Sequence, residues 1–142
     1  MTEREKIYQK YDGHCAYCGE PIKWIKEMQV DHIISKRNFL MHVHNKWRVP
    51  EFLNHLTDKD LNHSDNLMPS CRVCNNWKTT HSLETFRNEI AEQLIRLHKY
   101  SPNYRLAQRY GLIKEVPKKI IFYFEYVYEM EQKFSQKDHE IK

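Results

Sequence analysis

Cys71-Arg72-Val73-Cys74-Asn75-Asn76-Trp77-Lys78 is the stretch on which the fold turns. Two residues between two thiolates let one tight turn present both sulfurs to the same edge of a metal ion. A second pair at the same spacing, Cys15-Ala16-Tyr17-Cys18, lies upstream, with 52 residues between the pairs. Two such knuckles complete a tetrahedral Zn(Cys)₄ site and fix segments distant in sequence beside each other. A four-thiolate zinc has no open coordination position. Its role is structural, and any chemistry must be sought elsewhere.

The rest of the chain supports one domain over residues 1–142: 40% of its residues are hydrophobic and only three are glycine. The amino-terminal MTEREKIYQK is charged from the start, which predicts no secretory leader. The longest apolar run, Ile120 to Phe124, is far too short to cross a bilayer, so no membrane association is expected. A cytoplasmic setting follows, where cysteines ligate metals rather than form disulfides.

Thr2-Glu3-Arg4-Glu5 matches the capping box and predicts a helix from about residue 3 to Tyr11. Gln29 to Ile34 alternates as a strand, and Asn66-Leu67-Met68 reads as a second strand or turn. Between them, residues 35–65 form a long connection rich in His and Asn, with a short helix expected after Pro50. A helix is expected to begin at the second knuckle and carry Trp77 and Lys78. Leu83, Phe86, Ile90, Leu94 and Leu97 form one apolar stripe, predicting a long helix from the cap Ser82 to about Lys99. Tyr104–Tyr110 predicts a further short helix. Lys118–Tyr128 is β-rich in composition, although its end from Glu125 suits a helix equally.

In its ordered set of Val30-Asp31-His32-Ile33-Ile34, Asn66-Leu67 and Cys71-x-x-Cys74-Asn75-x-x-Lys78, the sequence resembles the HNH nuclease family. The match spans residues 15–78 and implies an α+β fold: a ββα-metal core over residues 12–80 with a Cys₄ zinc site. To this core the reading adds a helical N-terminus, an insertion at 35–65 and an α/β C-terminal extension over 82–142. His32 to Asn66 spans 34 residues, roughly twice the step of a minimal member, and the excess falls in the connecting loop. The C-terminal stretches Tyr104–Leu112 and Lys118–Glu125 are similar to parts of bacterial and phage-associated HNH proteins, which implies the cytoplasm of a bacterial or phage-infected cell.

The resemblance implies an endonuclease that hydrolyses DNA phosphodiester bonds, one strand per site, leaving 5′-phosphate and 3′-hydroxyl ends. A histidine, with an ordinary pKa near about 6.5, can take a proton from water at working pH. His32 is therefore the candidate base. Asp31 and Asn75 offer oxygen ligands for a Mg²⁺ or Mn²⁺ ion, which would stabilise charge on the phosphate and the leaving oxygen. Where many members carry His, Asn75 supplies a carbonyl oxygen that favours hard cations. Asn66 is implied to brace the loop that orients His32. Since adjacent strand residues face opposite sides, Asp31 and His32 can serve one phosphate only if the strand distorts or the site lies at its end.

Charge points the same way. Residues 72–119 hold ten Lys/Arg against four Asp/Glu, whereas residues 1–71 are balanced at ten each. Arg72, Lys78, Arg87, Arg105, Arg109, Lys118 and Lys119 are the expected contacts to duplex DNA. His42, His44, His55 and His63 present themselves as a further metal site, but in a long polar loop they read more simply as surface residues or DNA contacts. The aromatics from Tyr110 to Tyr128 read as core rather than as base-stacking platforms. Two alternatives stay open: a non-catalytic nucleic-acid-binding zinc module, and an HNH nuclease cutting RNA. Double-strand cutting would need a dimer or two sequential nicks.

Overall fold

The computed structural model describes residues 1–140, with side chains to residue 136, and forms a helix-rich α+β arrangement around one small sheet. Helix α1 (Glu3–Gln9) opens with the expected capping box: Thr2 accepts from the Glu5 N–H, and the Glu5 carboxylate accepts from the Thr2 N–H. Strand β1 (Gln29–His32) pairs antiparallel with β2 (Leu67–Ser70), in a register that sets Asp31 opposite Met68 and His32 opposite Leu67. Helix α3 (Arg72–Lys78) follows β2 directly and packs back on β1. Its N-cap is Cys71, whose sulfur accepts from the Cys74 N–H. The second knuckle is thus also the start of the helix.

Two features of the connection and the C-terminal half differ from expectation. Residues 35–65 contain, besides a 3-10 turn at Glu51–Leu53, a helix α2 (Phe39–Asn45) that buries Phe39, His42 and Val43. The expected long helix is two, α4 (Leu83–Ala91) and α5 (Gln93–Tyr100), separated at Glu92. Only the first half of the apolar stripe has a core to bury against. Leu83 and Phe86 are buried, whereas Leu97 is exposed. Helix α6 (Pro102–Arg109) packs on α5.

The C-terminal extension is a correction. Among the described residues it contains no strand, and α7 (Tyr123–Glu140) is helical; residues 141 and 142 lie outside the described residues. The β-branched and aromatic composition of 118–128 is used differently from a ladder. The N–H groups of Tyr123 and Phe124 donate to the carbonyls of Tyr17 and Ala16, and the Ala16 N–H donates to Pro69. The first knuckle is clamped between β2 and the start of α7, with no sheet partner needed.

Phe122 and Phe124 are core residues, as the composition suggested, while Tyr110, Tyr126 and Tyr128 are exposed. Tyr17, inside the first knuckle, meets Phe86, Phe122 and Phe124 edge-on at centroid distances of 5.6, 5.4 and 6.2 Å. Buried residues from Ile7 to Phe124 join in one cluster. No helix among the described residues is long and apolar enough to cross a membrane.

Candidate metal centre and adjoining polar site

Cys15, Cys18, Cys71 and Cys74 come together, with their four sulfurs within 4.8 Å of one another. Sulfurs bound at about 2.3 Å to a tetrahedral ion sit about 3.8 Å apart. Cys18 and Cys71 meet at 3.8 Å. Backbone N–H groups of Glu20 and Cys74 point at the sulfurs of Cys18 and Cys71, at 3.5 and 3.4 Å. The Cys74 thiol, hydrogen-bonded to Cys15, holds the latter's pKa well down; that bond and then burial push Cys74 up, and burial pushes Cys18 up. Four sulfurs so close suit thiolates gathered round one cation. The donor set fits zinc.

Gly19 closes the first knuckle at φ +78°, and a Cβ there would lie 2.9 Å from the Tyr123 ring. Only glycine meets both demands.

From this cluster α3 runs to Lys78, whose side chain is wholly buried, with its ammonium turned inward. Nζ donates to Asp31 Oδ2 at 3.0 Å and to the His32 carbonyl at 2.9 Å. Burial lowers the Lys78 pKa, and the Asp31 charge opposes that effect. Lys78 therefore does not face a phosphate, which corrects its expected place among the DNA contacts. A buried carboxylate requires a counter-charge, and α3 delivers it.

Tyr17 was not foreseen. Its hydroxyl donates to the same Asp31 Oδ2 at 2.5 Å, and burial, with the Asp31 charge, holds its pKa well above the ordinary value, so it remains a donor. Oδ2 thus takes two bonds, whereas Oδ1 has no protein partner among the described residues; no sealed side-chain polar atom among them lacks one, so Oδ1 keeps access to solvent. On α3, Asn75 stands one turn before Lys78, on the same helix face. It is half-buried, and its side-chain amide has no protein partner among the described residues.

The strand alternates as geometry requires: Asp31 turns inward and His32 lies half-exposed at the strand's end. Lys78 bridges the two, holding the side chain of one and the carbonyl of the other. His32 Nε2 meets Asn62 Oδ1 at 2.8 Å. With that oxygen accepting, Nε2 carries the proton and Nδ1 keeps its lone pair. Asn62 lies in the 35–65 connection, and no local pattern in the sequence distinguishes it from the other asparagines there.

Asn66 is fully buried and spends its amide on backbone. Oδ1 accepts from the Ile34 N–H at 2.9 Å, and Nδ2 donates to the Ile34 and Leu61 carbonyls at 3.2 and 2.9 Å. It ties the segment after His32 to the one before Asn62. Asn66 is accordingly a positioning residue for the segment that follows His32.

Arg87 is a second correction among the basic residues. Its guanidinium engages Glu84, both oxygens of Glu125 and the Ile120 carbonyl, and covers the Phe122 ring at 4.6 Å. It ties the chain before α7 to α4 and is not free for a partner. Arg105 is exposed but caps α5 by donating to the His98 and Lys99 carbonyls. Arg72, Arg109, Lys118 and Lys119 are exposed. Comparison with protein-family models, curated proteins and solved structures gives no match for this chain.

Proposed function

We propose that this protein is an HNH-type endonuclease that hydrolyses DNA phosphodiester bonds with a divalent cation, its strand–strand–helix core held by a structural zinc in the Cys₄ cluster. One observation carries the assignment. Asp31 is a buried carboxylate with one oxygen fixed by Tyr17 and Lys78 and the other unengaged, beside a helix face that offers the unengaged amide of Asn75. A purely structural ion pair has no use for a solvent-open carboxylate oxygen next to an amide free of protein partners among the described residues, whereas a cation site uses both.

Asp31 Oδ1 and the Asn75 carbonyl oxygen would hold a hard ion. When bound, Mg²⁺ or Mn²⁺ offsets charge building on the phosphate and the departing 3′-oxygen. Lys78 and Tyr17 hold the Asp31 carboxylate in place through its Oδ2. His32 Nδ1 accepts a proton from water as the water oxygen bonds to phosphorus. The P–O3′ bond breaks, the 3′-oxygen takes a proton from solvent, and the phosphate stays on the 5′ end. Asn62 sets the tautomer that leaves Nδ1 basic, and Asn66 holds the two segments that carry His32 and Asn62. Arg72, Arg109, Lys118 and Lys119 supply exposed positive charge for the backbone of the nucleic acid.

The burial of Asp31 under Lys78 favours a second reading, a non-catalytic nucleic-acid-binding zinc module in which the pair only ties α3 to β1. Incubation of the protein with supercoiled plasmid and with single-stranded RNA, in Mg²⁺, Mn²⁺ or EDTA, separates the readings. Nicked plasmid in Mg²⁺ or Mn²⁺ but not in EDTA, and lost in His32→Ala, is the expected result. Binding without cleavage selects the module, and cleavage of RNA alone reassigns the substrate.

A further inference from the structure

His55, His63 and Asp65 form a second cluster on the surface, separate from the Cys₄ site and from Asp31. One ligand atom from each lies within 4.8 Å of the others. His55 Nε2 is 2.9 Å and His63 Nδ1 3.8 Å from Asp65 Oδ2. Donors held at about 2.0–2.1 Å by a tetrahedral ion lie about 3.3 Å apart, so the two distances bracket that edge. The two imidazole rings meet edge-on at 5.4 Å between centroids. All three residues are at least partly open to solvent, which gives an ion a way in.

We propose that His55, His63 and Asp65 bind a second divalent ion of the zinc type, with water in the remaining position. Two imidazoles and one carboxylate are a donor set that such ions favour and Mg²⁺ does not. Asp60 adds negative charge within range of both imidazoles. Lys10 opposes a cation, since its ammonium sits near Asp65, but it is anchored on the carbonyls of Ser64 and Leu67. The Asp65 N–H now donates to His63 Nδ1, so an ion at that nitrogen replaces a turn cap. His42 and His44 take no part: His42 is buried against Trp47, and His44 lies on α2.

The consequence is a clip across the long connection. It joins residue 55 to the turn 63–65, which lies between Asn62 and Asn66, the residues that hold His32 and its loop. The site's chemistry does not depend on nuclease activity, and its test does not read cleavage. The 142-residue chain without a histidine tag is loaded with one equivalent of Zn²⁺, freed of excess, and titrated with Zn²⁺ by calorimetry. One further equivalent is expected, with the ring signals of His55 and His63 shifting in ¹H–¹⁵N spectra. His55→Gln and, independently, Asp65→Asn should weaken that step at least about 10-fold, since even outer-shell changes cost that much; His44→Gln should leave it unchanged. At a Zn²⁺ concentration one hundred times the dissociation constant, the folding equilibrium of the wild type should rise about 100-fold, and that of His55→Gln far less. An unchanged second step in both His55→Gln and Asp65→Asn, or no second equivalent at all, would overturn the site.

Discussion

Lys78→Met isolates the contact that joins the second knuckle to β1. Methionine has nearly the same length and apolar stem, so little volume is lost, but the ammonium goes. Asp31, 6% exposed at its side chain, then keeps Tyr17 as its only side-chain donor among the described residues. Breaking a buried pair by removing one partner costs about 3–5 kcal/mol, because the remaining charge is uncompensated. The Tyr17 bond and the solvent access of Oδ1 place the cost near the lower end, about 3 kcal/mol. With a urea slope of about 1.5 kcal/mol per molar, the midpoint falls by about 2 M. Trp24, Trp47 and Trp77 are all about half exposed, so tryptophan emission is a poor probe and far-ultraviolet circular dichroism is the right one. Zinc must be held at one concentration, because an ion that binds only the folded chain raises apparent stability. The double variant Lys78→Met/Asp31→Asn should recover most of the loss, since no buried charge then lacks its partner. A midpoint within 0.3 M of wild type, a threshold of about 0.5 kcal/mol at that slope, or a double variant no better than the single one, would refute the coupling.

Cys71→Ser should lower the zinc content of purified protein, read by elemental analysis, and leave the chain largely unfolded by circular dichroism, because metal binding and folding are coupled in such sites. Asn62→Ala should slow plasmid cleavage about 10-fold or more with KM little changed and with an altered pH profile, because His32 loses its fixed tautomer and orientation; an unaltered rate would remove Asn62 from the site. For Glu125, burial raises the pKa but hydrogen bonds from Arg87 and the Phe122 N–H outweigh it and leave it lowered. The stability it contributes is present above the ordinary glutamate value of about 4.3 and is lost as pH falls through the folded value, so Glu125→Gln should flatten acid unfolding below about pH 4. Replacing one of Arg72, Arg109, Lys118 or Lys119 with Ala should lower the logarithmic salt slope of DNA binding by about one, measured by titration at several salt concentrations.

The metal frame was legible in the residues themselves. Two Cys-x-x-Cys pairs admit few other uses, and the fold brings all four sulfurs together. The capping box of α1, the strand through Asp31 and the helix from Cys71 were likewise readable, because caps, alternation and knuckles are local constraints that neighbouring residues satisfy among themselves. Composition misled at 118–128, where β-forming residues end up leading into a helix. Whether an N–H joins a ladder or caps a distant carbonyl depends on what stands opposite it, and here that is the first knuckle. The direction of Lys78 was likewise beyond sequence: on α3 it was as free to face solvent as the core, until β1 placed a buried carboxylate within its reach. The same holds for Tyr17 and Asn62, which are unremarkable in their own segments and acquire a role only because residues 14 and 30 positions away fold against them. Identity and spacing determined which ligands this chain has. The packing of α3 on β1 decided which charge is spent inside the fold and which Asp31 oxygen stays open to solvent.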